Sequence, residues 1–168
     1  MDRPSKRTYY MDIAKTVSTR STCLRRHYGA CIVNNDEIVA TGYNGAPRGC
    51  DDCLDKGYCW RAEHKIPRGT RYELCASVHG EANAIISAGR KNCLGGTMYI
   101  YGYDVASQDM VHDPDSCQMC KRMIINSGID EVIFADDYNA KDGEYEFRRV
   151  KVSTWVESGA AEPNPEGY

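Results

Sequence analysis

No apolar stretch in this 168-residue sequence reaches the roughly 18 residues that a membrane-spanning helix requires. The first residues also lack the apolar core of a secretion signal, so we expect a cytoplasmic protein without a membrane partner. A basic excess, which nucleic-acid-binding domains usually carry, is missing because the formal net charge is -3. The charge therefore argues against nucleic acid as a partner. It leaves room for a small phosphorylated substrate, which needs only a local cluster of positive charge.

Cysteine, by contrast, is abundant, with nine residues in the chain. An odd number of thiols in a reducing compartment does not fit a disulfide framework. Metal coordination is the more economical role for several of them.

Hydrophobic periodicity and turn residues divide the chain into alternating helices and short strands. We predict helices over residues 8–20, 79–90 and 117–127, strands over 29–33, 37–43, 97–101 and 131–135, and either a strand or a helix over 148–156. Residues 50–75 are polar and cysteine-rich, residues 102–115 are predicted to form a loop, and the tail 162–167 is predicted to fray. This order predicts one α/β domain over residues 1–168, with an insertion at about 50–75, in which the sheet starts antiparallel and continues parallel.

Two short motifs, each at the start of a predicted helix, bring together the ligand types that zinc prefers. His79 offers an imidazole, and Cys117 and Cys120 offer two thiolates at the spacing Cys-x-x-Cys. Helix N-termini stabilise thiolates, and this spacing places both sulfurs on one face of the first turn. Three protein ligands leave the fourth tetrahedral position for water, which is the mark of a catalytic rather than a structural zinc.

Glu81 lies two residues after His79, next to the metal but off the ligand direction, where a carboxylate can serve as general acid and base. His-x-Glu followed by Pro-Cys-x-x-Cys is the pattern of zinc-dependent deaminases. The sequence matches it except that Ser116 replaces the proline. The alternative is that His79 is a core histidine and that Cys117 and Cys120 are buried thiols.

Four segments carry a resemblance to a known family. Residues 23–33 contain Cys-Leu-Arg-Arg and Gly-Ala-Cys-Ile-Val, residues 42–47 read Gly-Tyr-Asn-Gly-Ala-Pro, and the two motif helices cover 79–86 and 117–125. Over residues 8–137 the sequence resembles the deoxycytidylate deaminases of the cytidine deaminase-like superfamily. Residues 42–47 point to its nucleotide branch. The resemblance implies a three-layer α/β/α fold with a central mixed sheet of about five strands.

The resemblance also implies a function, which is zinc-dependent hydrolysis of deoxycytidylate (dCMP) to dUMP with release of ammonia. Asn44 would line the sugar and base pocket, although by itself Asn44 followed by Gly45 is typical of a plain turn. A family-like enzyme would be a homo-oligomer, often a hexamer, activated by dCTP and inhibited by dTTP. The alternatives are a deaminase of another cytosine nucleotide or of nucleic acid, and a non-catalytic zinc-binding module.

The remaining cysteines suggest a second zinc. Four thiolates around a metal would hold the weakly periodic insertion together. Some members of the family have such a structural zinc, and by position Cys23 and Cys53 match its cysteines, so we add Cys59 and Cys75 to complete the set. Cys50 is a rival ligand, and free thiols are the alternative. Cys31 and Cys93 are expected in the core.

A phosphorylated substrate requires a basic pocket. Arg26 follows Arg25 beside the β-hairpin that strands 29–33 and 37–43 are predicted to form, and Arg48 lies close to Asn44, so Arg26 and Arg48 are the candidate phosphate ligands. Each arginine alone is more often a solvated surface residue. The predicted loop 102–115 is longer than the link that the family has there, which bears on the shape of the pyrimidine pocket.

Overall fold

The computed structural model describes residues 3–67 and 69–162. The helices are α1 (Lys6–Ser18), α2 (Cys53–Lys56), α3 (Trp60–Glu63), α4 (Gly80–Cys93), α5 (Gln118–Ser127) and α6 (Val152–Glu157). The strands are β1 (Arg26–Asn34), β2 (Glu37–Tyr43), β3 (Thr97–Asp104), β4 (Asp109–Met110), β5 (Glu131–Asn139) and β6 (Glu144–Lys151). Within the described residues no helix is long and apolar enough to span a membrane. Most of the tail that we predicted to fray, 163–167, lies outside the described residues.

The sheet is mixed, and its main path runs β2-β1-β3-β5-β6, with the short β4 paired to β3. β1 is antiparallel to β2, as the predicted hairpin requires, and it is also antiparallel to β3. β3 and β5 are parallel, but β6 returns antiparallel to β5. The parallel pairing predicted for the strands at 97–101 and 131–135 was therefore correct, and β6, which the sequence left open as strand or helix, adds an antiparallel pair. The last strand follows β5 through a tight connection, which allows only an antiparallel return.

Strict alternation along the strands builds two apolar faces, because successive side chains point to opposite sides of a sheet. One face packs against α1 and includes Cys31, Val33, Tyr99, Tyr101 and Ile133. The other face packs against α4, α5 and α6 and includes Ile32, Met98, Ile100, Val132 and Phe134. The result is the three-layer α/β/α architecture predicted from the family resemblance.

Two glycines allow the helices to lie directly on the sheet. A Cβ atom on Gly29 would stand 2.0 Å from the carbonyl oxygen of Ala14 in α1. A Cβ atom on Gly42 would stand 2.3 Å from both the Gly80 carbonyl oxygen and the Ala84 nitrogen in α4. Neither position tolerates a side chain, so close packing on β2 fixes where α4 begins.

Two segments differ from the sequence-based expectation. Residues 102–115 are not a plain loop, because β3 extends to Asp104 and turns back through β4. Residues 148–156 contain both predicted alternatives, since β6 ends at Lys151 and α6 begins at Val152. The polar residues of both segments concealed the strands, whose pairing depends on partners distant in sequence.

The parallel pair β3 and β5 fixes where the chemistry lies. α4 leads into β3 and α5 leads into β5 through short connections, so each helix runs back along its strand. Both helices therefore begin beyond the carboxyl ends of the parallel strands, the edge where open α/β sheets commonly bind ligands.

Candidate active site

The first residues of α4 and α5 bring the three predicted metal ligands together. His79 and Cys117 are the N-caps of the two helices, and both have extended backbone conformations. The Cys117 sulfur accepts a hydrogen bond from the Cys120 N–H at 3.5 Å, which folds the first turn of α5 around the two thiols. The His79 Nδ1 atom lies 3.4 Å from the sulfur of Cys117 and 3.4 Å from that of Cys120.

These distances fit a tetrahedral zinc ion. Zinc bonds of about 2.3 Å to sulfur and 2.0–2.1 Å to nitrogen, at a tetrahedral angle, place the ligand atoms about 3.6 Å apart. Across residues 3–67 and 69–162, His79, Cys117 and Cys120 form the one group whose ligand atoms all lie within 4.8 Å of one another. The donor set and its spacing both match a zinc site with one open position.

The local electrostatics favour a thiolate at Cys117, whereas the hydrogen bond with Cys117 and burial raise the pKa of Cys120. The helix N-termini direct partial positive charge at the site. A hydrogen bond from the Cys120 thiol and the neighbouring His79 imidazole lower the pKa of Cys117 well below its usual range. Metal binding requires deprotonated sulfur, so this environment prepares Cys117 as a ligand.

Glu81 is buried next to the ligands, with only 7% of its surface exposed, and it lines the same cavity as His79 and Cys117. Its Oε1 atom accepts a hydrogen bond from the Ser116 hydroxyl at 3.1 Å. Burial raises the pKa of the Glu81 carboxyl, and the neighbouring charge of His79 opposes that shift. A carboxyl with a raised pKa beside a metal site can both accept and return protons near neutral pH.

A cavity opens onto the ligands, and Asn44 belongs to its wall. The Asn44 Oδ1 atom accepts from the Tyr28 N–H and from the Ser21 hydroxyl, each at 2.7 Å. Its Nδ2 atom donates to the Arg26 carbonyl at 2.9 Å. The Asn44 side-chain amide therefore connects β1 to the loop after β2 and shapes the cavity wall. A residue that served only as a plain turn would not need these contacts.

The candidate phosphate ligands separate in space. Arg25 and Arg26 both line the cavity, and the Arg26 Nε atom pairs with the Asp104 carboxylate at 2.9 Å. Arg48 is exposed and is not among the lining residues. The Asn-Gly-Ala-Pro-Arg segment carries Arg48 outward, so closeness in sequence to Asn44 did not translate into closeness to the cavity.

The insertion supplies a wall residue that sequence reasoning missed. Tyr72 lines the cavity, and its ring meets the His79 imidazole edge-on at 5.1 Å between centroids. The side chain of Arg61 is buried, and its guanidinium lies 4.5 Å from the centroid of the Tyr72 ring. The Arg61 Nη2 atom donates a hydrogen bond to the Pro67 carbonyl at 3.1 Å. In the sequence this segment stands out by its polar, cysteine-rich composition and weak periodicity, and these features do not show which side chain faces a cavity.

The insertion also gathers the second group of cysteines. Cys53 is 9% exposed, and its pKa is raised to about 11 by burial and by the neighbouring thiols of Cys23, Cys59 and Cys75. These four sulfurs are neighbours but are more widely spaced than the ligand atoms around His79. Cys50, the rival ligand, is exposed.

The other two cysteines, Cys31 and Cys93, are fully buried in the two cores. This is the position expected for them as small apolar residues.

Comparison with known proteins gives a consistent picture. Residues 4–136 match the family described as the cytidine and deoxycytidylate deaminase zinc-binding region. The deoxycytidylate deaminase of Schizosaccharomyces pombe is 34% identical over 137 residues, which is 82% of this chain and 39% of the relative. That of Mycobacterium phage D29 is 32% identical over 138 residues, which is 80% of this chain and 97% of the relative. The human protein of the same name is 37% identical over 139 residues, or 80% of this chain and 67% of the relative.

Solved structures agree with the sequence relatives. The dCMP deaminase of cyanophage S-TIM5, crystallised with dCMP and dUMP, superposes with a TM-score of 0.54 at 26% identity, covering 85% of this chain and 90% of that one. The chain spans about two-fifths of the length of the two yeast relatives it matches. The family match covers the ligand helices and the cavity wall, so this chain belongs to the family of zinc-binding cytidine and deoxycytidylate deaminases.

Proposed function

We propose that this chain is a zinc-dependent deaminase that hydrolyses dCMP to dUMP and ammonia. The observation that carries the proposal is the buried Glu81 carboxylate beside three zinc-type ligands, a set that would leave the fourth position of a tetrahedral zinc free for water. The names of the relatives support the substrate, because those from yeast, phage and human are all deoxycytidylate deaminases.

The residues divide the chemistry between them. His79, Cys117 and Cys120 would hold the zinc, which when bound lowers the pKa of a coordinated water from 15.7 to about 7. Glu81 takes the proton released as the water oxygen bonds to C4 of the cytosine ring, and delivers it to the ring nitrogen N3. Glu81 then moves the proton of the new C4 hydroxyl to the exocyclic amine, the C4–N bond breaks as the C4 carbonyl of dUMP forms, and ammonia leaves.

Arg25 and Arg26 are the proposed phosphate ligands. The Asp104 carboxylate holds the Arg26 side chain in place, which reduces the conformational freedom lost on binding. It also offsets part of the Arg26 charge, so the exposed Arg25 supplies the second positive charge that a phosphate dianion requires. Arg48, which lies away from the cavity, is not included in this proposal.

Ammonia release tests the function and its substrate together. Purified protein is assayed with dCMP, CMP, cytidine, dCTP and a single-stranded DNA oligonucleotide. We expect dCMP to have the highest kcat/KM. Equal values for dCMP and cytidine would contradict the phosphate site. Faster reaction on DNA would identify an editing deaminase, and a zinc-loaded protein inactive on all five would be a non-catalytic module.

We also propose that Cys23, Cys53, Cys59 and Cys75 hold a structural zinc. Burial of Cys53 among three other thiols is unfavourable for the charged form unless a cation compensates, and zinc would supply that charge. The short helices of the insertion contribute little apolar core, so a metal would account for their stability. Filling the site requires the four sulfurs to draw closer than they lie here.

Metal analysis tests the second site. The purified protein should contain two zinc ions per chain, and Cys53→Ser should retain one and still deaminate dCMP. Cys50→Ser is the matched control, because Cys50 is an exposed thiol of the same insertion. Wild-type protein with one zinc would remove the structural site without affecting the catalytic one.

Activation by dCTP, inhibition by dTTP, a homo-oligomer, a cytoplasmic location and a single domain over residues 1–168 stay predictions.

A further inference from the structure

Ser116 is the residue at which this chain departs from the deaminase pattern, and its hydroxyl contacts Glu81. The Ser116 Oγ atom donates to Glu81 Oε1 at 3.1 Å. Both residues are buried, with 3% of Ser116 and 7% of Glu81 exposed. The proline that the pattern has at this position carries no hydroxyl, so this contact comes from the substitution itself.

The segment that presents Ser116 is held on both sides. The Ser116 N–H donates to Asp115 Oδ1 at 2.9 Å, and Asp115 Oδ2 pairs with the Lys121 ammonium at 2.6 Å. Asp115 is thus tied to α5, the helix that carries both thiol ligands. A side chain joined to that helix keeps a constant distance from the metal site.

The other side of the segment is held by the last strand. Pro114 is fully buried, and its carbonyl accepts a hydrogen bond from the Arg148 guanidinium. Arg148 belongs to β6, and its guanidinium lies 4.5 Å from the centroid of the Phe134 ring. β6 lies outside residues 4–136, the range that matches the family.

The hydrogen bond from Ser116 restricts the Glu81 carboxyl, which is the group proposed to transfer protons. With Oε1 occupied by Ser116, rotation of the Glu81 carboxyl would break a buried hydrogen bond and leave the Ser116 hydroxyl without that partner. Glu81 lines the cavity, so this hydrogen bond limits the orientations that its carboxyl can take there. Such orientation contributes to the rate of proton transfer and not to the binding of a nucleotide.

We propose that Ser116 is a positioning residue for Glu81, in place of the proline that the family pattern has there. The hydroxyl fixes the carboxylate in the orientation that proton transfer requires, and Asp115 and Arg148 fix the hydroxyl. This proposal rests on the proposed deaminase function.

The test compares Ser116→Ala and Ser116→Thr with the wild-type enzyme on dCMP. Ser116→Ala should lower kcat by about tenfold or more, corresponding to 1.36 kcal/mol per factor of ten, with KM changed less than about threefold. Ser116→Thr retains the hydroxyl and should recover most of the lost kcat. Zinc content should equal that of the wild type in both variants. Ser127→Ala is the matched control, since it removes a buried serine hydroxyl at the far end of α5 and should leave kcat unchanged.

A double-mutant cycle separates orientation of Glu81 from a general effect on the fold. When Glu81 is already glutamine, Ser116→Ala should reduce the residual rate by much less than in the wild-type background. Equal reductions in the two backgrounds would overturn the proposal, as would a Ser116→Ala variant with wild-type kcat or one that loses zinc. A wild-type protein that deaminates no cytosine nucleotide would instead refute the proposed function and this inference with it.

Discussion

Replacement of Glu81 by glutamine tests the central step of the proposed reaction. Glutamine has nearly the same shape, and its carbonyl can still accept the Ser116 hydrogen bond that Oε1 accepts at 3.1 Å. It cannot take up a proton, so both transfers lose their carrier. General acid and base groups contribute about 10²–10⁴-fold, and a group serving two transfers should lie at the upper end. We expect a loss of roughly 10⁴-fold in kcat, or about 5.4 kcal/mol of transition-state stabilisation.

The fold should survive this change. Burial raises the pKa of Glu81, so the folded state disfavours the ionised carboxylate and gains no stability from it at neutral pH. The melting temperature of the glutamine variant should therefore not fall. His79, Cys117 and Cys120 are unchanged, so its zinc content should match that of the wild type.

Three measurements on the glutamine variant decide the outcome: steady-state ammonia release, zinc content and nucleotide binding by calorimetry. Glu131→Gln is the matched control, because Glu131 is equally buried at the start of β5 but pairs with Arg149 at 2.9 Å, away from the cavity. If Glu81→Gln retains more than about a tenth of the wild-type rate, less than 1.36 kcal/mol depends on the carboxylate. Glu81 would then not be the proton carrier.

Three further predictions concern the ligands, the phosphate and the packing. Cys117→Ala should lose the catalytic zinc and lower the free energy of unfolding, and metal analysis with thermal unfolding would show both. Arg26→Ala should reduce kcat/KM on dCMP by about tenfold or more relative to cytidine, whereas Arg48→Ala should not; equal losses on both substrates would contradict a phosphate role. Gly29→Ala should lower the free energy of unfolding by roughly 1–3 kcal/mol in urea, because its Cβ would overlap the Ala14 carbonyl; an unchanged midpoint would contradict the packing of α1 on β1.

The ligand set could be predicted from the sequence because its determinants are local. A thiol at the N-cap and another three residues later share the first turn of a helix wherever that helix lies. The helical pattern after His79 is also a local feature, and the structure confirms both helices.

The strand order and the role of the later segments could not be obtained this way. β4 is two residues long and exists only because Asp104 and Tyr103 have partners across a turn. The direction of β6 depends on the short connection after β5, and its residues show neither a clean strand nor a clean helix pattern.

The sequence by itself therefore determined the chemistry of this protein, which is a histidine, two thiols and a carboxylate at the starts of two helices. Tertiary structure decided which other side chains lie close to these four residues. It placed Arg25 and Tyr72 in the cavity wall, left Arg48 outside, and brought Ser116 against Glu81, 35 positions earlier in the chain. The physical reason is that helix caps and ligand spacings are set within a turn or two of backbone, whereas contacts between distant segments depend on the order and direction in which the strands pair.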